Sequence, residues 1–119
     1  MLSASVQHEI VTGDAEFRVV VHPNRSQVIV APSGELDLAT VAHVDRELSE
    51  LAQAGFTDIV LDLEAITFVD STGLHLLLRQ HGAARAAGRR FRITGGSDAT
   101  RRLLELTGTS DTFEYVELR

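Results

Sequence analysis

Two short runs rich in β-branched residues stand near the start of the chain, Phe17 to His22 (FRVVVH) and Gln27 to Ala31 (QVIVA). Between them lies His22-Pro23-Asn24-Arg25-Ser26, which is turn chemistry, so the pattern predicts a β-hairpin. Pro32 removes a donor just beyond the second run, which places the end of that strand at an edge or a terminus. Gly34 to Thr40 reads as a loop entering a helix. There Val41, Val44, Leu48, Leu51 and Ala52 recur at helical spacing, with Asp45, Arg46, Glu47, Ser49 and Glu50 on the other side. Thr40 is the expected N-cap of this helix and Gly55 its stop.

Asp58 to Leu63 (DIVLDL) holds three consecutive apolar residues between loops, the mark of a strand buried on both faces or nearly so. Phe68 to Gly73 is expected to be a loop. A second helix begins near Ser71 or Thr72 and runs to about Ala87, with Leu74, Leu77, Leu78 and Ala84 on one side and Gly88 as its stop. Phe91 to Thr94 is a further strand. Gly95-Gly96-Ser97-Asp98 leads a third helix containing Leu103, Leu104 and Leu106 and ended by Gly108. Thr112 to Leu118 fits a last strand or a short helix, and residues 1–15 fit a tail or a weak first strand. The order β-β-α-β-α-β-α predicts an α/β fold in which parallel neighbours are joined by right-handed crossovers, made mixed by the leading hairpin. No repeat or linker divides the chain, so residues 16–119 are expected to form one domain with a four- to five-stranded sheet.

The chain has 119 residues, enough for a single core. It has no cysteine, which excludes disulfides and thiolate metal sites. No apolar run approaches the roughly 20 residues that cross a bilayer, and the first residues lack the charge and hydropathy of a signal peptide. A cytoplasmic protein with no membrane role is the expectation. A net charge of −6 argues against nucleic acid as a partner, since that binding rests on neutralising phosphates. The arginines Arg79, Arg85, Arg89, Arg90 and Arg92 cluster in sequence, as either a solvated face or a contact patch for an acidic partner.

Two segments that follow strands and precede helices carry the candidate chemistry, Gly34 to Thr40 and Phe68 to Gly73. In an open α/β sheet such segments gather at one edge, which brings Asp37 and Asp70 towards Ser71. Ser71 stands at a helix start, where unpaired amides favour an anion. A phosphate there adds about −1.5 to −2 charges at neutral pH, opposed by both aspartates. The plain alternative is that Asp70, Ser71 and Thr72 simply cap a helix.

Three motifs in order decide between these readings. Gly34-Glu35-Leu36-Asp37 after a strand resembles the GELD motif of STAS domains. Asp58 to Leu63, followed by Phe68-Val69-Asp70-Ser71-Thr72-Gly73-Leu74, is similar to their strand, loop and D-S-[ST]-G-L helix start. Thr107-Gly108 resembles the [ST]-G that closes their third helix. The likeness spans about Phe17 to Glu117. It implies a STAS-like fold with helices packed chiefly on one face, and among STAS proteins the short anti-sigma factor antagonists (anti-anti-sigma factors) look most similar.

That resemblance implies a regulatory binding protein in sigma factor and transcription control, with no enzymatic activity and no cofactor. The unphosphorylated form binds an anti-sigma factor with serine kinase activity and so frees a sigma factor. Phosphorylation of Ser71 ends the binding, and a serine phosphatase acting on phospho-Ser71 restores it. Thr72 is a secondary acceptor by the same resemblance, and Asp37, Asp70, Gly73 and His75 form the pocket and partner contact. The chain departs from the family at His75, where a second glycine often stands, at Pro32, and in its extra N-terminal residues. A STAS module acting as an unphosphorylated scaffold in a sensory or transport complex is the alternative.

Other chemistry is poorly supported. His8, His22, His43, His75 and His81 share no ligand spacing. Ser71 lacks the leading glycine of a nucleophile elbow. Gly95-Gly96-Ser97-Asp98 lacks the lysine and spacing of a P-loop.

Overall fold

A computed structural model describes residues 9–25 and 27–118. His8 and most of the expected tail lie outside these residues. Among the described residues the strands are β1 (Ile10–Gly13), β2 (Arg18–Asn24), β3 (Gln27–Leu36), β4 (Asp58–Leu61), β5 (Ile66–Val69), β6 (Arg90–Ile93) and β7 (Glu114–Tyr115). The helices are α1 (Val41–Gln53), α2 (Ser71–Ala87) and α3 (Asp98–Leu106), with a single 3-10 turn at Ser110–Thr112. The sheet runs β1-β2-β3-β4-β6-β7, and β5 pairs separately with β3. β1, β2 and β3 are antiparallel, whereas β3, β4, β6 and β7 are parallel, so the sheet is mixed as expected.

Seven strands replace the four or five read from the sequence. The additional ones are short. β1 falls in the segment taken as a tail or weak strand, β7 is two residues long, and β5 lies in the stretch expected to be a loop. Runs of two to four residues are too short to show the alternation by which a strand is read. β2 also runs on through Pro23 to Asn24, and Pro23 pairs with Val28, so the hairpin turn is tighter than the sequence suggests.

Pro32 does not end β3, which continues four residues further. Along its first part β3 pairs with β4, from Gln27↔Asp58 to Val30↔Leu61, and along its last part with β5, from Gly34↔Ile66 to Leu36↔Val69. Pro32 sits in the gap between these two ladders. A missing N–H is tolerated where no ladder bond is due.

Cross-strand rows explain the core. Val21, Val30, Leu61 and Ile93 stand side by side, as do Val28, Ile59 and Phe91. Side chains alternate across a sheet, so these rows share one face. Val44 and Leu48 of α1, Leu74, Leu77 and Ala84 of α2, and Leu104 of α3 join the same apolar cluster. All three helices therefore cover that face. Val60 points the other way and is fully buried, between Ile29 and Arg92 of the adjoining strands. There Arg92 reaches both carboxylate oxygens of Asp58 at 3.0 and 3.1 Å. β4 is thus covered on both faces, one of them by an ion pair. Where β4 ends, the buried Thr94 hydroxyl accepts from the Leu63 amide at 2.8 Å and meets the Asp62 carboxylate at 3.3 Å.

Candidate functional site

The break between β4 and β5 builds the site. After Leu61 the chain leaves β3, turns at Glu64 and Ala65, and returns as β5 along the far end of the same strand. Leu36 and Val69 pair, and the Asp70 amide donates to the Leu36 carbonyl at 3.2 Å. Asp37 and Asp70 are the next residues off two parallel strands, so the ends of the two motifs lie side by side. The strand β3 absorbs Gly34 to Leu36, and the loop before α1 shrinks to Asp37–Thr40.

Each aspartate is tied to its own turn. The Asp37 carboxylate accepts from the Ala39 amide at 3.0 Å. Thr40 precedes α1, yet its hydroxyl caps no helix amide: it donates to the Glu35 carbonyl at 2.6 Å and accepts from the Asp37 amide at 3.0 Å. Asp70 is the N-cap of α2. One of its oxygens accepts from the amides of Thr72 and Gly73, at 2.9 and 3.1 Å, and from the Thr72 hydroxyl at 2.5 Å. That hydroxyl, more than any other group, holds the Asp70 carboxyl below its ordinary 3.8. The amides of Gly73, Thr72 and Leu38 act in the same direction, against partial burial.

Ser71 is the first residue of α2 and is exposed. Among the described residues its hydroxyl makes no hydrogen bond, whereas the hydroxyl next door, on Thr72, is held by Asp70. Geometry thus separates the two candidate acceptors, with Ser71 open and Thr72 engaged. His75 is exposed one turn along the same face. Gly73 is buried under the site, where its amide donates to Asp70. A Cβ at Gly73 would lie 2.8 Å from Val69 Cγ1 and 3.0 Å from the Leu36 carbonyl, so glycine is what lets α2 start hard against the β3–β5 pair.

Sequence reasoning missed two residues here. Leu38, next to Asp37, is 77% exposed, and Phe68, two residues before Asp70, is 47% exposed, and both lie at the sheet edge where β3 and β5 end. Phe68 has apolar neighbours in sequence and reads as core. Only the register shift in β5, which pairs Phe68 with Glu35, turns it outward. Leu38 follows Asp37 directly, and its position in a polar turn was the available signal. Beside Asp37 a cleft of about 630 Å³ is lined by Asp14, Glu16 and Glu35 among others, so this side of the site is acidic.

The other candidates resolve into structure. Glu64 accepts from the Gly96 amide at 3.2 Å and Ser97 caps α3, so the Gly95–Asp98 turn already holds a carboxylate of its own chain. The arginine cluster divides: Arg92 pairs with Asp58, Arg90 with Glu114, and Arg79 lies 3.7 Å from Asp45. His22 pairs with Glu9, His43 meets the Thr12 hydroxyl at 2.6 Å, and His81 packs edge-on against Phe113. Among the described residues no group of three or more His, Asp or Glu side chains is arranged to hold a metal ion. No helix among them is long and apolar enough to cross a membrane.

A family model for the STAS domain matches residues 16–118. The chain belongs to the STAS domain family. Within the family it is 38% identical over 88 residues to the anti-sigma-B factor antagonist of Staphylococcus aureus, covering 74% of this chain and 82% of that protein. Among solved structures, an anti-sigma factor antagonist from Mycobacterium paratuberculosis superposes with a TM-score of 0.77 at 26% identity, covering 90% of this chain and 92% of that one. The Bacillus protein SpoIIAA in its phosphorylated form shares the fold, with a TM-score of 0.63 at 20% identity over 93% of both chains.

Proposed function

We propose that this STAS domain is an anti-sigma factor antagonist, and that its binding is switched off by phosphorylation of Ser71. In this reading the unphosphorylated chain docks on an anti-sigma factor that is also a serine kinase, and so frees a sigma factor. A serine phosphatase acting on phospho-Ser71 reverses the switch. The domain itself contributes a surface and an acceptor, while the kinase brings ATP and the catalytic groups. The names of the Staphylococcus and Mycobacterium relatives support the first part, and a phosphorylated form of SpoIIAA supports the second. The cytoplasm is the compartment in which this exchange takes place.

One observation carries the reading. Ser71 is an exposed, uncommitted hydroxyl directly after Asp70, at the paired strand ends that also carry Asp37 and the exposed apolar side chains Leu38 and Phe68. Apolar side chains at a polar rim are the usual anchors of a protein interface. A dianion placed among them brings desolvation cost and like-charge repulsion to any docked partner. The amides of Thr72 and Gly73 are occupied by Asp70, so the helix start offers the phosphate less than its position in sequence suggests.

The test uses an anti-sigma serine kinase with ATP, mass spectrometry of the product, and calorimetry of the complex. Phosphate should map to Ser71 and vanish in Ser71→Ala. Ser71→Ala should bind with unchanged affinity and, because the cap is Asp70, should lose less than about 0.5 kcal/mol of stability. Ser71→Glu should bind at least tenfold more weakly. Equal affinity of Ser71→Glu and wild type would refute the electrostatic switch, and tight binding without any phosphorylation would favour the unphosphorylated scaffold.

A further inference from the structure

Phosphorylation of Ser71 sets a problem in charge balance, and the structure offers one answer to it. The N-terminal amides that would ordinarily receive an anion, those of Thr72 and Gly73, both donate to the Asp70 carboxylate. The side chain of Thr72 is directed to the same oxygen. Asp37 stands beside Asp70 at the end of the paired strand, and its carboxylate is held by the Ala39 amide. A phosphate on Ser71 therefore enters a helix start whose amides are taken by the adjoining Asp70 carboxylate, with Asp37 at the paired strand end. A cation must come from elsewhere.

We propose that His75 is the counter-charge of phospho-Ser71, a positioning residue that holds the phosphate along the outer face of α2. This inference rests on Ser71 being the acceptor. Ser71 and His75 are four residues apart on a continuous helix, and both are exposed. Side chains at that spacing lie about 5–6 Å apart at Cβ, and an anion placed N-terminal to a cation is the favourable orientation. The imidazole makes no hydrogen bond or ion pair among the described residues, unlike those of His22 and His43. The next residue on the same face, Arg79, lies near Asp45 of α1, at 3.7 Å, so its charge is drawn to the other helix. The charged groups along this side of α2 are thus the Ser71 phosphate, Arg79 with Asp45 of α1 facing it, and Asp70 at the helix start, with Asp37 at the adjoining strand end.

Histidine suits this task better than a permanent cation. Imidazole can gain or lose its charge by exchanging one proton, which a guanidinium does not do, and a phosphoserine loses its second proton near pH 6. When the imidazole is protonated, part of the phosphate's negative charge is offset one turn away. The completeness of release then depends on pH, being greater in alkaline than in mildly acidic solution.

The experiment installs phosphoserine at position 71 by nonsense suppression, so that no kinase is needed, and follows the phosphorus resonance by NMR from pH 4.5 to 8.5 in low salt. Wild type, His75→Gln, His75→Lys and Arg79→Gln are compared. In wild type the second phosphate proton should leave about 0.3–0.5 pH unit lower than in His75→Gln, the size expected for an exposed helical pair with a dianion. His75→Lys should restore the low midpoint, Arg79→Gln should leave it unchanged, and about 1 M salt should collapse the difference. Equal midpoints for wild type and His75→Gln in low salt overturn the proposal. Because the phosphate is installed directly, that outcome leaves the switch at Ser71 standing. Absence of kinase-dependent phosphate at Ser71 would remove the switch and leave the NMR result intact.

Discussion

Gly73 and Gly82 lie in the same helix, and the same substitution should act on them with opposite signs. Gly82 is exposed, and a Cβ built there meets nothing within 4 Å. Gly82→Ala thus keeps only the helix-propensity gain of about 0.5–1 kcal/mol. Gly73→Ala has the same gain, but its Cβ would sit 2.8 Å from Val69 Cγ1, 3.0 Å from the Leu36 carbonyl oxygen and 3.1 Å from Leu36 Cγ. All three atoms belong to the paired strands β3 and β5, and one is backbone, so they cannot swing aside as a flexible surface chain would. Overpacking of this kind costs about 1–3 kcal/mol. Taken at the middle of both ranges, the net for Gly73→Ala is a loss of about 1–1.5 kcal/mol. For a domain of this size each kcal/mol moves the midpoint by about 3–6 °C. Scanning calorimetry should place Gly82→Ala a few degrees above wild type and Gly73→Ala about 3–10 °C below it. Because Gly73 seats the first turn of α2, its alanine variant should also shift the amide resonances of Asp70 and Ser71, which Gly82→Ala should leave in place. A Gly73→Ala variant as stable as wild type would refute the close-approach argument, and with it the claim that this glycine positions the acceptor.

Three further outcomes are expected. The Asp70 carboxyl titrates below its ordinary 3.8 in the folded chain, so the stability it contributes is fully present above that value and is lost as the pH falls through the folded value. Asp70→Asn keeps a capping side chain but loses the charge, so in urea melts it should be about 0.3–1 kcal/mol less stable than wild type at pH 7, with the gap closing below pH 4; a gap independent of pH would contradict this. Thr94→Val strips the buried Leu63 amide of its acceptor and should cost about 1–3 kcal/mol in urea unfolding, an unchanged midpoint being the contrary result. Leu38→Ser should alter stability by less than about 0.5 kcal/mol yet weaken anti-sigma binding at least fivefold in calorimetry, and undiminished binding would take Leu38 out of the docking face.

What could be read from the sequence followed the strength of local periodicity. α1 shows an apolar stripe through Val44 and Leu48, α2 ends on Gly88 in the left-handed region with φ 70°, and both boundaries fell close to where the residues put them. The buried strand β4 was legible from three apolar residues in a row, because only cover on both faces tolerates them. β5 was not legible. Its four residues alternate poorly, with Thr67 and Phe68 both exposed, and its pairing depends on a register shift opposite Gly34 and Glu35 that no local pattern encodes. Phe68 was hidden by the same irregularity. The juxtaposition of Asp37 and Asp70 was accessible in outline from the strand-then-helix order, but the division of labour among Asp70, Ser71 and Thr72 was not. All three are good capping residues, and only coordinates assign the cap to the first.

That assignment bears directly on how such a site discriminates between two adjacent hydroxyls. A single carboxylate oxygen on Asp70 gathers the Thr72 amide, the Gly73 amide and the Thr72 hydroxyl. Freeing Thr72 for phosphate transfer means giving up a charge-assisted hydrogen bond, about 1.5–3 kcal/mol by the usual scale for such bonds, before any chemistry begins. That is roughly a tenfold to hundredfold handicap against Ser71, whose hydroxyl gives up nothing within the described residues. Removing the Asp70 carboxylate should therefore do more than loosen the helix start. It should let Thr72 compete, so that in Asp70→Ala a measurable share of phosphate appears at position 72. In the proposed switch, the carboxylate that caps α2 would thus set which of the two hydroxyls is modified.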